Sequence, residues 1–208
     1  MRVLCACEAS GRVRDSFLRR GHEAISVDLL PTESPGPHYQ GDIFEFLQKE
    51  SPQSFDLMIA HPECTYITNA GARWFYHPDD THKPENLRRA HPQYPDRWAN
   101  HYEAVIFFKR LWELPIPKIC IENPIPSSRL TRVVGKYSQC VHPHWFGDPF
   151  TKSTCLWLKG LPPLRRTHYI DKKYIKAECH EMSPGPERSK NRSRTYMSVA
   201  QQMSSQWG

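Results

Sequence analysis

Cys64, Glu122, Glu8, Asp28 and Asp42 carry the most specific chemistry in this sequence. Cys64 sits in "HPEC", at the end of the apolar run "FDLMIAHP". A thiol that follows a strand end and a proline, near a helix or loop start, stands where a thiolate is stabilised. Glu122 opens "ENPIP" after a second apolar run, "KICI". A carboxylate that ends a buried strand is costly without a task. A cysteine on one strand end and a glutamate on another can act as nucleophile and proton donor. Taken alone, a cysteine such as Cys64 is more often an ordinary buried thiol.

The acids point to a cofactor. Glu8, Ala9, Ser10 and Gly11 form the first strand-to-helix turn, and only one of them is a glycine. A pyrophosphate needs closely presented backbone amides, so this turn disfavours a dinucleotide. Asp28, followed by Leu29, can accept both hydroxyls of a ribose, and Asp42, followed by Ile43, an amino group such as that of adenine. Each acid alone fits a helix cap or a turn. As an ordered set they favour an adenosine cofactor without phosphates, of which S-adenosylmethionine is the commonest.

The elements that must position these residues alternate along the chain. "RVLCAC" reads as a buried strand ending at Glu8. "ASGRVRDSFLRRG" reads as a helix with Ser10 as its N-cap and Gly21 as its stop. "EAISVDLL" is a second strand, ending at Asp28. A short segment, Asp42 and a helix follow in "HYQGDIFEFLQKE". "FDLMIAHP", "KICIENPIP" and "STCLWLKGL" complete five or six strands, with an amphipathic helix over "RWANHYEAVIFFKRLWEL" and a closing helix in "TYMSVAQQMSSQWG". The expected fold is α/β, a doubly wound, mostly parallel, Rossmann-like sheet. Ligands of such sheets bind beyond the carboxyl ends of the strands. That rule gathers Glu8, Asp28, Asp42, His61–Cys64 and Glu122–Pro124 around one crevice.

The 208 residues suit a single domain, 1–208. Residues 70–97, dense in His, Pro, Arg and Tyr, read as a mobile loop or lid. Residues 165–195 read as a basic, irregular segment. The net charge of +6 favours an anionic partner such as nucleic acid or a nucleotide. The start of the chain does not read as a signal peptide, and no run approaches the roughly 18 apolar residues of a membrane span. Seven cysteines without a CxxC pair suit reduced thiols in a cytoplasm. "CVHPH" at 140–144 and "CH" at 179–180 fit no common zinc spacing, and no metal is expected.

"AHPECTYITNAG" followed by "ICIENP" resembles the Pro-Cys and Glu-Asn-Val motifs of cytosine-C5 DNA methyltransferases. "CEASGRVRDSFLRRGHEAISVDLLP" is similar to their cofactor turn and the acidic strand after it, and "GDIFEF" to their third motif, matching Asp42. "HWFGDPFTKSTCLWLKGLPPL" and "RSRTYMSVAQQMSSQWG" resemble a short, phage-associated branch without a separate target recognition domain. The resemblance covers nearly the whole chain. It implies methyl transfer from S-adenosylmethionine to carbon 5 of cytosine in DNA, in a bacterial host cytoplasm if phage-encoded. Cys64 would add to carbon 6, Glu122 would bond the ring at nitrogen 3 and the exocyclic amine, and Asn123 and Pro124 would fix the loop. Glu8–Gly11, Asp28, Leu29, Asp42, Ile43 and Pro62 would hold the cofactor. Arg73, Trp74, Arg192 and Arg194 would meet the DNA, whose base must first be flipped out.

Three departures stand out. Glu63 occupies the position where the family usually has a second proline, and an adjacent carboxylate raises a thiol pKa. The Gln-x-Arg-x-Arg motif survives only as Phe150-x-Lys152-x-Thr154, leaving Lys152 as its basic group. Pro124 stands where valine is usual. Two alternatives follow: an enzyme acting on a free pyrimidine nucleotide, or a non-catalytic module that keeps the fold and binds nucleic acid or a nucleotide.

Overall fold

The computed structural model of the chain describes residues 1–177, 185 and 191–208. Seven strands among them form one sheet: β1 Arg2–Ala6, β2 Glu23–Asp28, β3 His38–Gln40, β4 Leu57–Ala60, β5 Lys118–Asn123, β6 Gln139–Val141 and β7 Thr154–Lys159. Their order is β3-β2-β1-β4-β5-β7-β6. The pairs from β3 to β5 are parallel, whereas β7 runs antiparallel to β5 and to β6. The chain winds outward from β1 to β3, then returns to continue through β4. The switch point, with its crevice, therefore lies beyond β1 and β4. This is the doubly wound Rossmann-like sheet that the strand pattern predicts.

Helices cover both faces, so the central strands are apolar throughout rather than alternating. Every residue of β4 is buried. Strand parity divides the core. Val3 and Cys5 of β1 face helices α1 (Arg12–Leu18) and α5 (Met197–Trp207), packing with Phe17, Val199 and Met203. Leu4 and Ala6 face the other side, with α2 (Ile43–Lys49) and α3 (Arg97–Trp112) contributing Phe46, Phe108 and Leu111. Phe108 is fully buried, so Phe108→Ala costs about 3–5 kcal/mol.

Two short elements escape sequence reading. Strand β6 has three residues, too few to reveal a period, and raises the strand count to seven. Helix α4, Ser128–Val134, is capped by the Ser127 hydroxyl, which accepts from Leu130 N.

Ser10 is not the N-cap of α1. The helix begins one residue later, after Gly11 at φ 70°. Glu8 caps it instead: Oε1 accepts from Val13 N at 2.7 Å and Oε2 from Arg14 N at 3.2 Å. A carboxylate satisfies two orphan amides and meets the positive end of the helix dipole, which a hydroxyl does less strongly. The chain reaches this geometry through Cys7, held in the left-handed region at φ 56°. That conformation costs about 1–3 kcal/mol in a non-glycine residue and marks the turn as one under constraint.

Residues 70–97 contain three short 3-10 turns and their own bracing. The buried Asp80 carboxylate accepts from Arg89 N, Nε and Nη2 at 2.9 Å each and pairs with Lys83 at 2.8 Å. The Arg129 guanidinium, from α4, lies among the rings of Phe75, Tyr76 and Trp98 at 4.9–5.6 Å. Of the basic segment 165–195, Arg188, Lys190 and the Cys179-His180 pair lie outside the described residues.

Candidate active site

Strand β4 ends where its hydrogen bonding must end. His61 N still donates to Ala6 O at 2.9 Å, but Pro62 has no donor, and the chain turns away. The turn closes when Ile67 N and Thr68 N both donate to Cys64 O at 3.2 Å. The first turns of α3 hold its outer side: Arg97 Nη2 donates to Thr65 O at 2.8 Å, and His101 Nδ1 to Tyr66 O at 2.9 Å. Cys64 is thus fixed by the strand behind it and the helix beside it.

Strand β5 lies next to β4 in the sheet and delivers Glu122 to the same place. Glu122 Oε2 lies 3.5 Å from His61 Nδ1, and both side chains are about nine-tenths buried. Glu122 Oε1, His61 Nε2 and Asn123 Oδ1 are buried with no partner among the described residues. Asn123 is fully buried and does not face the cavity; its Nδ2 donates to Pro124 O at 2.7 Å and shapes the loop.

Burial pushes the Cys64 thiol up to about 11, and the Glu122 charge adds to that. Lys152 opposes them, and Glu63 is the least of the groups that act on the thiol. Glu122 feels the reverse balance. Burial raises it, but the His61 hydrogen bond and the Lys152 charge together hold it below the ordinary glutamate value. Lys152 acts on both groups at a distance. Its Nζ donates to Arg192 O at 2.8 Å and Arg194 O at 3.1 Å. Arg194 pairs with Glu33 at 2.8 Å, and Arg12 Nη1 donates to Thr195 O at 2.8 Å. Residues 192–195 are therefore tied along the cavity between β7 and the loop after β2.

The acids lie at the ends of their strands in the same cavity. Asp28 Oδ1 accepts from Leu30 N at 2.9 Å. Asp42 Oδ1 accepts from Phe44 N and Glu45 N and caps α2. In each, Oδ2 makes no hydrogen bond among the described residues. Both charges act on Cys7, whose thiol, mainly through burial, is pushed up to about 12.

One cavity of about 1130 Å³ joins the two halves of the site. Its walls include Glu8, Ala9, Ser10, Asp28, Leu29, Asp42, Ile43, Pro62, Cys64, Glu122, Pro124, Lys152, Arg192 and Arg194. Gly11, Arg73 and Trp74 are not among them. Gly11 faces the Arg14 side chain, and Trp74 packs on His91 and Tyr94 with Arg73 4.6 Å above its ring. Thr195, Phe107 and Arg110 line the cavity without having been singled out from sequence, and His61, placed at the crevice by the strand-end rule, had no role assigned to it. His61 stands in "HPEC", three residues before the thiol, but its task depends on β4 and β5 being neighbours.

Solved structures that resemble this fold include two methyltransferases. One is a candidate DNA modification methyltransferase encoded within prophage Cp of E. coli, with 14% identity and a TM-score of 0.43, covering 76% of this chain and 46% of that one. The other is the Entamoeba histolytica methyltransferase EhMeth, with 13% identity and a TM-score of 0.47, covering 80% of this chain and 57% of that one. The chain spans about half the length of each. No family model and no curated protein matches it. Among the described residues no helix is long and apolar enough to cross a membrane.

Proposed function

We propose that this chain is an S-adenosylmethionine-dependent methyltransferase that modifies carbon 5 of cytosine in DNA through a covalent adduct of Cys64. One observation carries the reading: Cys64 and Glu122, from adjacent parallel strand ends, share a single cavity with Asp28 and Asp42.

The residues present fit the cofactor. The Glu8 carboxylate already takes the first-turn amides of α1, which a phosphate would otherwise use. The turn is therefore closed to a dinucleotide and compatible with a nucleoside that has no phosphate. Asp28 would hold the ribose hydroxyls and Asp42 the adenine amino group, each through Oδ2, with Leu29 and Ile43 against the base. Bound there, the sulfonium supplies an electrophilic methyl group.

The pyrimidine end is the work of Cys64 and Glu122. With Glu122 ionised beside it, the thiol keeps its proton in the free protein. As sulfur bonds to carbon 6, the thiol proton passes to the Glu122 carboxylate and from it to ring nitrogen 3, so the total charge of Cys64, Glu122 and the base is unchanged. Glu122, with Oε1 unpartnered, would meet nitrogen 3 and the exocyclic amine. Carbon 5, made nucleophilic, takes the methyl group; a base then removes its proton, and Cys64 leaves as nitrogen 3 gives its proton back, which restores the ring. Burial that holds the thiol neutral at rest restricts thiolate formation to the moment when the base is bound.

DNA is the partner that the net charge of +6 and exposed Arg165, Lys172 and Lys173 favour. Residues 70–97 would act as a lid over the extrahelical base. The test is thermal shift with S-adenosylhomocysteine, then transfer to duplex DNA against deoxycytidine monophosphate. Stabilisation that is lost in Asp28→Asn, with transfer to DNA that weakens as salt rises, is expected. Absence of stabilisation would undo the cofactor assignment, and transfer confined to the free nucleotide would undo the DNA assignment.

A further inference from the structure

The Glu122 carboxylate has a titratable partner in the cavity wall, the His61 imidazole. His61 Nδ1 lies 3.5 Å from Glu122 Oε2, and Thr195 Oγ1 lies 3.5 Å from the same nitrogen. A carboxylate cannot donate, so Nδ1–H donates to Oε2 and is shared with the Thr195 hydroxyl oxygen. The backbone that carries the His61 ring is held in place: its N–H is bound to β1, and Pro62 follows it. The two atoms left over, Glu122 Oε1 and His61 Nε2, are both buried without a partner among the described residues. Buried polar groups without partners are rare and costly, and a pair of them on a cavity wall points to a ligand that supplies the missing bonds.

We propose that His61 is a positioning residue for Glu122: it clamps Oε2, turns Oε1 towards the bound pyrimidine edge, and sets the protonation state in which Glu122 awaits the base. This rests on the reading of Glu122 as the group that meets the ring. It also assigns a holder to that carboxylate in a chain where Phe150-x-Lys152-x-Thr154 offers no arginine and where Lys152 is occupied with the carbonyls of Arg192 and Arg194. The groups facing Glu122 are His61 after β4, Cys64 in the turn, Lys152 before β7, Cys155 on β7 and Cys120 on its own strand. Of the two that act on it in favour of ionisation, His61 is the larger, and only His61 makes a hydrogen bond to it.

The test separates the clamp from the reaction. The Glu122 carboxyl carbon is titrated by NMR in the unliganded wild type, in His61→Leu, which removes the N–H, and in His61→Asn, which keeps one in the same place. The midpoint is expected to rise in His61→Leu and to stay nearer the wild-type value in His61→Asn. Thr195→Val, which leaves Nδ1 to Glu122 alone, is expected to lower it and carries the test if His61→Leu does not fold. On DNA, kcat/KM is expected to fall by up to about 100-fold in His61→Leu, with a displaced acidic limb, and to recover in part in His61→Asn. An unchanged midpoint in His61→Leu, or in Thr195→Val should the leucine variant not fold, overturns the proposal, as does an equal loss of rate in the leucine and asparagine variants. If the midpoints move as stated but no variant methylates anything, the clamp stands and the methyltransferase reading falls. If transfer proceeds and His61→Leu changes neither property, the clamp falls alone.

Discussion

The resting state of Cys64 makes a quantitative prediction. The thiol is pushed up to about 11 from an ordinary 9.0. At pH 8 the thiolate fraction of an ordinary thiol is roughly one-tenth and that of Cys64 roughly one-thousandth, so alkylation of Cys64 should be about 100-fold slower. Iodoacetamide labelling read by peptide mass spectrometry measures this site by site. Cys140 is the internal reference, because the Cys155 S–H donates to its sulfur and pulls its thiol down. It should label well before Cys64. The perturbations then have signs. Glu122→Gln removes the largest charge that raises the thiol and should speed labelling, by tenfold for each unit recovered. Lys152→Met removes the opposing positive charge and should slow it. Glu63→Gln should do far less than Glu122→Gln, since the Glu63 charge acts on the thiol only weakly. Labelling of Cys64 at pH 8 as fast as a free thiol, or slower labelling in Glu122→Gln, would refute the electrostatic account.

Two further outcomes follow from the packing around the turn. A Cβ added at Gly71 would meet Arg97 Nη2 and, at 2.8 Å, Thr65 O, so Gly71→Ala should displace the Arg97 bond that holds the Cys64 turn and lower kcat more than KM, measured by steady-state transfer. Asp80 is held far below the ordinary aspartate range, first by its hydrogen bonds from Arg89. A depressed carboxyl stabilises the fold above its unfolded value and loses that contribution as pH falls. Asp80→Asn at pH 7, or wild type taken well below pH 4, should therefore speed limited proteolysis within residues 76–91, with little change in the rest of the chain.

The legible part of this molecule was the part written in long apolar runs. Strands β1, β2, β4, β5 and β7 and helices α1, α2, α3 and α5 follow from buried runs, period and stop residues. The strand-end rule then brings Glu8, Asp28, Asp42, Cys64 and Glu122 to one cavity before any coordinate is known. Short or purely tertiary features were not legible. Strand β6 is three residues long and is defined by its partner β7. Ser10 has the right type for a cap, but Glu8, delivered by the left-handed Cys7, takes the amides first. Glu63 adjoins Cys64 in sequence, but burial and Glu122, from another strand, set the thiol. The bracing of 70–97 rests on Arg129, beyond the segment itself. Adjacency in the chain was a poor guide to electrostatics here, because the neighbouring strands β4 and β5 let Glu122 act on Cys64 more strongly than the adjacent Glu63 does.

The central claim is that Cys64 becomes covalently bonded to a cytosine ring while a methyl group is transferred to it. A duplex carrying 5-fluorocytosine tests this directly, because fluorine at carbon 5 cannot leave as a proton does and the adduct is trapped. The protein is incubated with that duplex and S-adenosylmethionine and examined by denaturing gel and peptide mass spectrometry. The account predicts a cofactor-dependent adduct mapped to Cys64, with Cys64→Ser folded but free of it. No adduct in the wild type despite bound cofactor and DNA, or the same adduct in Cys64→Ser, would contradict it.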